Sequence, residues 1–314
     1  MNTAPPAAGL QGQALAVYAD DGTALSWRWY PNPAARVRLV LSHGNGLAMD
    51  GYQVFWRELL ADFEVSLFDF RSHGRSPAGT PAAHHWTQFE ADMQALSSAL
   101  AAQFDTRPLV GVFHSLSAVT SLRHLHRYGP RWDGLLLVDP PLSPPPGHAM
   151  ENEHGLEVQL LAQAALRRRP AFDSAQQLAD RFARVEVFGA WQAQACMDMA
   201  LATLRQTQAG GLWQLRCAPA LEAHVYRENL WPQALQVLKD CPFPVHMLAA
   251  DPQVQGSGLP ARFALEVHQQ CAIGYTCIGG TGHFLQLEQP QACALALRQF
   301  VRQSVLGAPA STPA

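Results

Sequence analysis

Three short stretches of this 314-residue sequence hold the side chains best suited to chemistry. They are Ser42-His43-Gly44-Asn45-Gly46, Val112-Phe113-His114-Ser115-Leu116-Ser117 and Gly279-Gly280-Thr281-Gly282-His283. Ser115 follows an apolar run at 109–113 and precedes a stretch of helical character at 118–125. A serine on a sharp strand-to-helix turn is held clear of the sheet, where its hydroxyl can attack a substrate carbonyl. Serine is a weak nucleophile and needs a neighbouring base, usually a histidine distant in sequence. His283 lies late in the chain, after Cys277-Ile278-Gly279-Gly280, where such a base belongs.

The surrounding sequence predicts elements that would hold these groups. Around Asp20-Asp21-Gly22, two alternating stretches within residues 14–30 read as a hairpin. Residues 36–41 read as a strand feeding the His43 loop, 52–60 as a helix and 65–69 as the next strand. Phe89, Met93, Leu96 and Leu100 recur at helical spacing within 87–100 and lead into the strand before Ser115. Leu135-Leu136-Leu137-Val138 is a further buried strand, ending at Asp139-Pro140. Strands and helices in alternation predict an α/β protein with a mostly parallel sheet covered on both faces.

From about residue 141 to 231 the pattern breaks, with helical segments and no buried strand. Ser174-x-x-Gln177 reads as a capping box before Leu178, Phe182 and Val185. Phe188, Trp191, Trp213, Tyr226 and Trp231 enrich this block in aromatics. Strand patterning resumes at 245–249, and a terminal helix runs through Phe300. The expected organisation is a core of residues 1–140 and 236–306, a helical cap at 141–235, and a disordered tail at 307–314, with residues 1–10 also disordered.

An apolar content of 48% with 15% charged residues fits a well-buried globular chain. The formal net charge of −3 gives no electrostatic case for nucleic acid or anionic lipid. Arg167-Arg168-Arg169 is the only compact basic run and reads as a solvated helix end near Pro170, or less readily as a contact for an acidic substrate group. Cysteines at 196, 217, 241, 271, 277 and 293 fit neither a zinc site nor a disulfide framework, so reduced thiols and no metal are expected. Neither a signal peptide nor a membrane span is legible, which makes the cytoplasm the expected location.

With these motifs in view, the sequence from about Leu39 to Phe300 resembles the capped members of the α/β-hydrolase superfamily. Asp69-Phe70-Arg71-Ser72-His73-Gly74-Arg75-Ser76 adds a fourth match, to an Asp-x-Arg-Gly-x-Gly-x-Ser loop, with Ser72 in place of the first glycine. The resemblance implies Ser115 as nucleophile and His283 as base, with the backbone amides of Asn45 and Leu116 as the oxyanion hole. His43, His73, His114 and His246 are then structural. The family's elbow is usually Gly-x-Ser-x-Gly; Ser117 is small enough for the turn, but Phe113 brings bulk that is expected to crowd a neighbour. The acid usually lies three residues past a small residue ending the strand at 245–249, which here is Gln253. That vacancy favours Asp139, at a strand end that some haloalkane dehalogenases use, over Asp251 as the alternative.

The implied activity is two-step hydrolysis of an ester-like bond in a small or medium hydrophobic substrate, without a cofactor. Thioesterase, amidase and carbon–carbon bond hydrolase chemistry remain open on the same fold. So does a non-catalytic ligand-binding protein, and so does a homodimer.

Overall fold

The computed structural model describes residues 12–185, 190–208, 210–255 and 257–307. The segments expected to be disordered, residues 1–10 and the tail after Gly307, lie outside the described residues, as does Phe188.

In chain order the strands are β1 (Gln13–Tyr18), β2 (Ala24–Tyr30), β3 (Arg38–Ser42), β4 (Glu64–Asp69), β5 (Leu109–His114), β6 (Gly134–Val138), β7 (Ala171–Phe172), β8 (Leu204–Gln206), β9 (Trp213–Leu215), β10 (Val245–Ala249) and β11 (Gly274–Cys277). All except β7, β8 and β9 form one eight-stranded sheet in the order β1-β2-β4-β3-β5-β6-β10-β11. The hairpin partner β1 and its neighbour β2 run antiparallel, and from β4 to β11 every pair is parallel.

Helices α1 (Gln53–Trp56), α2 (Trp86–Gln103), α3 (Leu116–Tyr128), α4 (Glu151–Leu166), α5 (Ala175–Arg184), α6 (Ala193–Thr203), α7 (Pro219–Arg227), α8 (Ala234–Lys239), α9 (Gly258–Cys271), α10 (Leu285–Glu288) and α11 (Pro290–Phe300) complete the chain. Successive strand residues feed two apolar cores. Leu39, Leu41, Val65, Leu67, Val110 and Val112 meet Phe55 and Leu297 on one face. Val40, Phe68, Phe113, Leu135 and Leu137 meet Phe89, Met93 and Leu122 on the other. Burial on both faces is why these strands read as unbroken apolar runs.

After β3 the chain steps to β4 on one side, and after β5 it steps to β6 on the other. The loops leaving β3 and β5 therefore diverge, and in open α/β sheets such a switch point opens a crevice at the carboxyl ends of the strands. The 43–46 loop and Ser115 lie at this switch point.

Two sequence expectations differ in detail. The helix expected at 52–60 is broken into a 3₁₀ turn at Met49–Tyr52, the single turn α1, and a second 3₁₀ turn at Arg57–Leu59. Its local fit is set both from within, where Trp56 Nε1 donates to Met49 O at 2.9 Å, and from outside, where Gly51 lies hard against Met199. The segment between β6 and α8, expected to lack strands, carries the small antiparallel sheet β7-β9-β8 beside helices α4 to α7. Strands of two or three residues are too short to show a period. None of them joins the central sheet.

Half of this insertion merges with the main core, because Phe172, Leu178, Phe182, Trp191, Met199 and Leu204 share a cluster with the sheet. The α4–α7 half has a small cluster of its own around Ala162, Ala165 and Ala223, while Val225 of α7 joins the sheet's second face. Ser174 caps α5 by accepting from Gln177 N at 3.3 Å, while Gln177 Oε1 reaches back to Asp173 N at 3.2 Å. The expected boundary at 235/236 falls inside α8, whose Leu235, Val237 and Leu238 belong to the sheet's second face. Among the described residues no helix is long and apolar enough to cross a membrane.

Candidate active site

Ser115 sits between β5 and α3 with φ 51° and ψ −109°. A non-glycine residue at positive φ costs about 1–3 kcal/mol and persists only where its surroundings over-determine it. Here Ser115 N donates to Val138 O at 3.1 Å, Ser117 N to His43 O at 3.3 Å, and Ser117 Oγ to His114 O at 2.9 Å. These bonds pin the turn to the strand on each side.

Phe113 does not crowd the elbow. Its ring occupies the space beside Gly111, where a Cβ would come within 2.2 Å of Phe113 Cε2 and 2.7 Å of Leu135 Cδ2. The same ring packs edge-on against Trp132 at a 5.2 Å centroid distance. A glycine two residues earlier on the same strand face thus supplies the room that the elbow's usual glycine would have supplied.

The parallel strands bring the other candidates to the same edge. Asp139, fully buried and at φ 39°, ends β6 and divides its carboxylate between two donors. Oδ1 accepts from Ala250 N at 3.0 Å, and Oδ2 accepts from His283 Nδ1 at 2.6 Å. With its proton on Nδ1, His283 has Nε2 free to accept one. Asp251 does not touch the imidazole. It braces the histidine's loop instead, accepting from Gly280 N at 2.8 Å and Gln253 N at 2.9 Å, and those backbone bonds hold its carboxyl below the usual range. Glu288 accepts from Gly282 N at 2.7 Å and steadies the same loop.

Among the described residues no hydrogen bond joins Ser115 Oγ to His283, although both belong to this edge. Catalytic hydrogen bonds are often long until substrate tightens them. The backbone amides of Asn45 and Leu116 have no acceptor among the described residues, and Leu116 N opens α3, where helix N–H groups are unsatisfied. Gly44 permits the close approach of this loop: a Cβ there would lie 2.9 Å from His114 Nδ1 and 3.3 Å from Ser115 Cβ.

Buried histidines hold the loop's backbone. His43 Nε2 accepts from Phe70 N at 3.1 Å and its Nδ1–H donates to Gly44 O at 2.9 Å. His73 Nε2 accepts from Gly46 N at 3.1 Å and its Nδ1–H donates to Arg71 O at 2.9 Å. Burial pushes His43 down to about 4 and His73 down to about 3, so both are neutral with tautomers fixed by their partners. Ser72, in the position where the resembled loop has glycine, takes φ 63° and accepts from Gly79 N at 3.1 Å.

His114 bridges the two sides of the site. Tyr52, another residue the sequence did not single out, accepts from Gly44 N at 3.3 Å and donates to His114 Nδ1 at 2.7 Å. His114 Nε2–H then donates to His283 O at 3.0 Å, with the two imidazoles 4.8 Å apart. The insertion reaches the site's loops through Asn45 Nδ2, which donates to Glu222 O at 2.9 Å, and through Trp191, whose ring lies 5.0 Å from that of Phe284 beside His283. Arg168, from the basic run, pairs with the buried Glu222 against Gly46 rather than lying as a solvated helix end. Two surface clefts, about 370 Å³ near Leu125 and Val237 and about 240 Å³ near Arg28 and Asp50, do not include Ser115. The convergence of polar groups marks the site.

Solved structures of similar shape are numerous. E-2-(acetamidomethylene)succinate hydrolase superposes with a TM-score of 0.72 at 18% identity, over 93% of this chain and 100% of its own. The thioesterase domain from the curacin biosynthetic pathway gives 0.70 at 18% identity, over 92% and 99%. A thermophilic esterase from Thermogutta terrifontis, solved with malate bound, gives 0.66 at 17% identity, over 93% and 98%. At such identities the likeness establishes the fold. No curated protein is significantly similar in sequence. The profile of the alpha/beta hydrolase family matches residues 39–296, a span containing all three chemical loops as well as the insertion, and the chain belongs to that family.

Proposed function

We propose that the protein is a serine hydrolase that cleaves an ester-like bond by two-step acyl transfer. The observation that carries this reading is the 2.6 Å bond from His283 Nδ1 to the buried Asp139, on the sheet edge that also holds Ser115 at its strained turn. Asp139 orients the imidazole and stabilises its charged form. His283 Nε2 takes the Ser115 proton as Oγ attacks the carbonyl carbon. The oxyanion lies against the Asn45 and Leu116 amides, and His283 returns the proton to the departing alcohol. Water, deprotonated by His283, then attacks the acyl-enzyme and releases the acid with Ser115 restored.

Residues 141–235 act in this reading as a cap whose aromatic residues favour a small or medium hydrophobic acyl group. Trp191 against Phe284 supports that role, since it places insertion surface beside the base. The esterase and thioesterase among the similar structures fit acyl transfer from an oxygen or sulfur leaving group alike.

The test is Ser115→Ala. The variant should fold with an unchanged thermal midpoint, lose at least about 10³-fold of its p-nitrophenyl ester hydrolysis, and resist fluorophosphonate labelling that modifies the parent protein stoichiometrically. Hydrolysis within a few-fold of the parent would sink the mechanism.

A further inference from the structure

Two loops must hold still relative to each other for the proposed chemistry to work. One follows β3 and offers the Asn45 amide; the other follows β11 and carries His283. Among the described residues no hydrogen bond joins residues 42–48 directly to residues 279–283, whose bonds go to Asp139, Asp251, Ile278, Glu288, Gln289 and His114. The polar path between them is Gly44 N–H to Tyr52 Oη at 3.3 Å, Tyr52 O–H to His114 Nδ1 at 2.7 Å, and His114 Nε2–H to His283 O at 3.0 Å.

We propose that Tyr52 and His114 are positioning residues that lock the oxyanion loop to the loop of the base, an inference that rests on the serine-hydrolase reading. Both side chains are essentially inaccessible, Tyr52 at 1% and His114 at 0% exposure. Inside such a site an unmade hydrogen bond leaves its partner's polar group unpaired, which strongly favours the closed chain of bonds. Direction matters as well. A neutral imidazole has one donor and one acceptor, and burial holds His114 well below its ordinary value. Tyr52 can therefore donate to Nδ1 while accepting from Gly44, and Nε2 must donate to the carbonyl of His283. His114 also precedes Ser115 in the chain, so one residue links nucleophile, base loop and oxyanion loop.

The experiment compares the parent protein with Tyr52→Phe, His114→Gln and the double variant on p-nitrophenyl acetate and butyrate, and by proton NMR. Tyr52→Phe keeps the ring and removes only the hydroxyl. It should lower kcat about 10- to 100-fold with KM within about twofold, the scale expected from a small misplacement of reacting groups. The double variant should be no slower than the slower single one, as for residues acting as a unit. The His283 Nδ1 proton, deshielded by its short bond to Asp139, should shift or broaden in Tyr52→Phe although Tyr52 does not touch His283. That displacement is a signature a merely space-filling tyrosine would not produce.

A folded Tyr52→Phe with unchanged kcat and an unmoved Nδ1 resonance would overturn the proposal. If the parent protein neither hydrolyses these esters nor reacts with fluorophosphonate, the hydrolase reading fails. The NMR comparison still decides whether the two loops are coupled.

Discussion

Every residue of β3, β4 and β6 is buried, whereas α4 in the insertion leaves Leu156, Leu160, Leu161 and Leu166 41–57% exposed. The sheet edge holds its polar groups by several short bonds each, as at Asp139, while the α4–α7 half of the insertion meets the site's loops through a few contacts such as Asn45 with Glu222. Chemistry that fails when atoms move by an ångström belongs on the first kind of scaffold. Selection among substrates tolerates, and even profits from, the second.

The sharpest way to break this contrast is at the acid. Asp139→Asn should cut kcat by about 10⁴, the loss known for the triad aspartate of a serine protease, while Asp251→Asn should cost less than about tenfold. Steady-state kinetics on one ester decides it, and the opposite ranking would move the role to Asp251.

Packing gives the next largest effect. Gly111→Ala forces a methyl into the Phe113 ring and Leu135 and should lower the free energy of unfolding by about 2–4 kcal/mol in urea. Leu160→Ala, on the exposed stripe of α4, should change it by less than about 0.5 kcal/mol. Equal losses would mean that the insertion is packed as tightly as the sheet.

Acid should act on the sheet edge too. His43 and His73 are held below their unfolded value of 6.5, to about 4 and about 3. Between those limits the unfolded chain binds more protons, so their stabilising contribution is complete above about 6.5 and is lost as pH falls towards the folded values. At pH 5 each should have forfeited about 2 kcal/mol. Urea midpoints that stay constant from pH 7.5 to 5 would contradict that assignment.

The smallest effect is expected from the insertion. Trp191→Phe, which keeps an aromatic ring against Phe284 in the shared core, should alter KM and the preference between acetyl and butyryl esters while leaving kcat within about tenfold. A collapse of kcat matching that of Asp139→Asn would erase the distinction between the two regions.

The sheet was legible in the sequence because strands buried on both faces leave long apolar runs, and Ser115 and His283 because they lie in short local motifs. The carboxylate that meets His283 was legible only by elimination, since Gln253 at the usual position favoured Asp139 without a positive signal. Asp139 and Asp251 both follow strands on the same edge, and only the course of the 279–283 loop separates a bond to the imidazole from bonds to backbone amides. Tyr52 and Glu222 left no signal. Tyr52 meets a partner 62 residues away, inside a segment whose helical pattern gave no hint of a hydroxyl role. The strands β7 to β9 form from residues with no periodicity of their own and owe their pairing to the core they cover.

The Gly111–Phe113 pair shows what a sequence motif encodes. Read letter by letter, this elbow lacks a glycine; in space, the void has moved by one strand repeat and is filled from the adjacent side. What counts in this strand is volume on one face of β5, shared between positions 111 and 113. Restoring glycine at 113 would not repair the motif. It would empty a phenyl-sized space beside Trp132, because glycine at 111 would leave that space unfilled as well. A designer importing consensus residues into this strand has to exchange the pair as one unit.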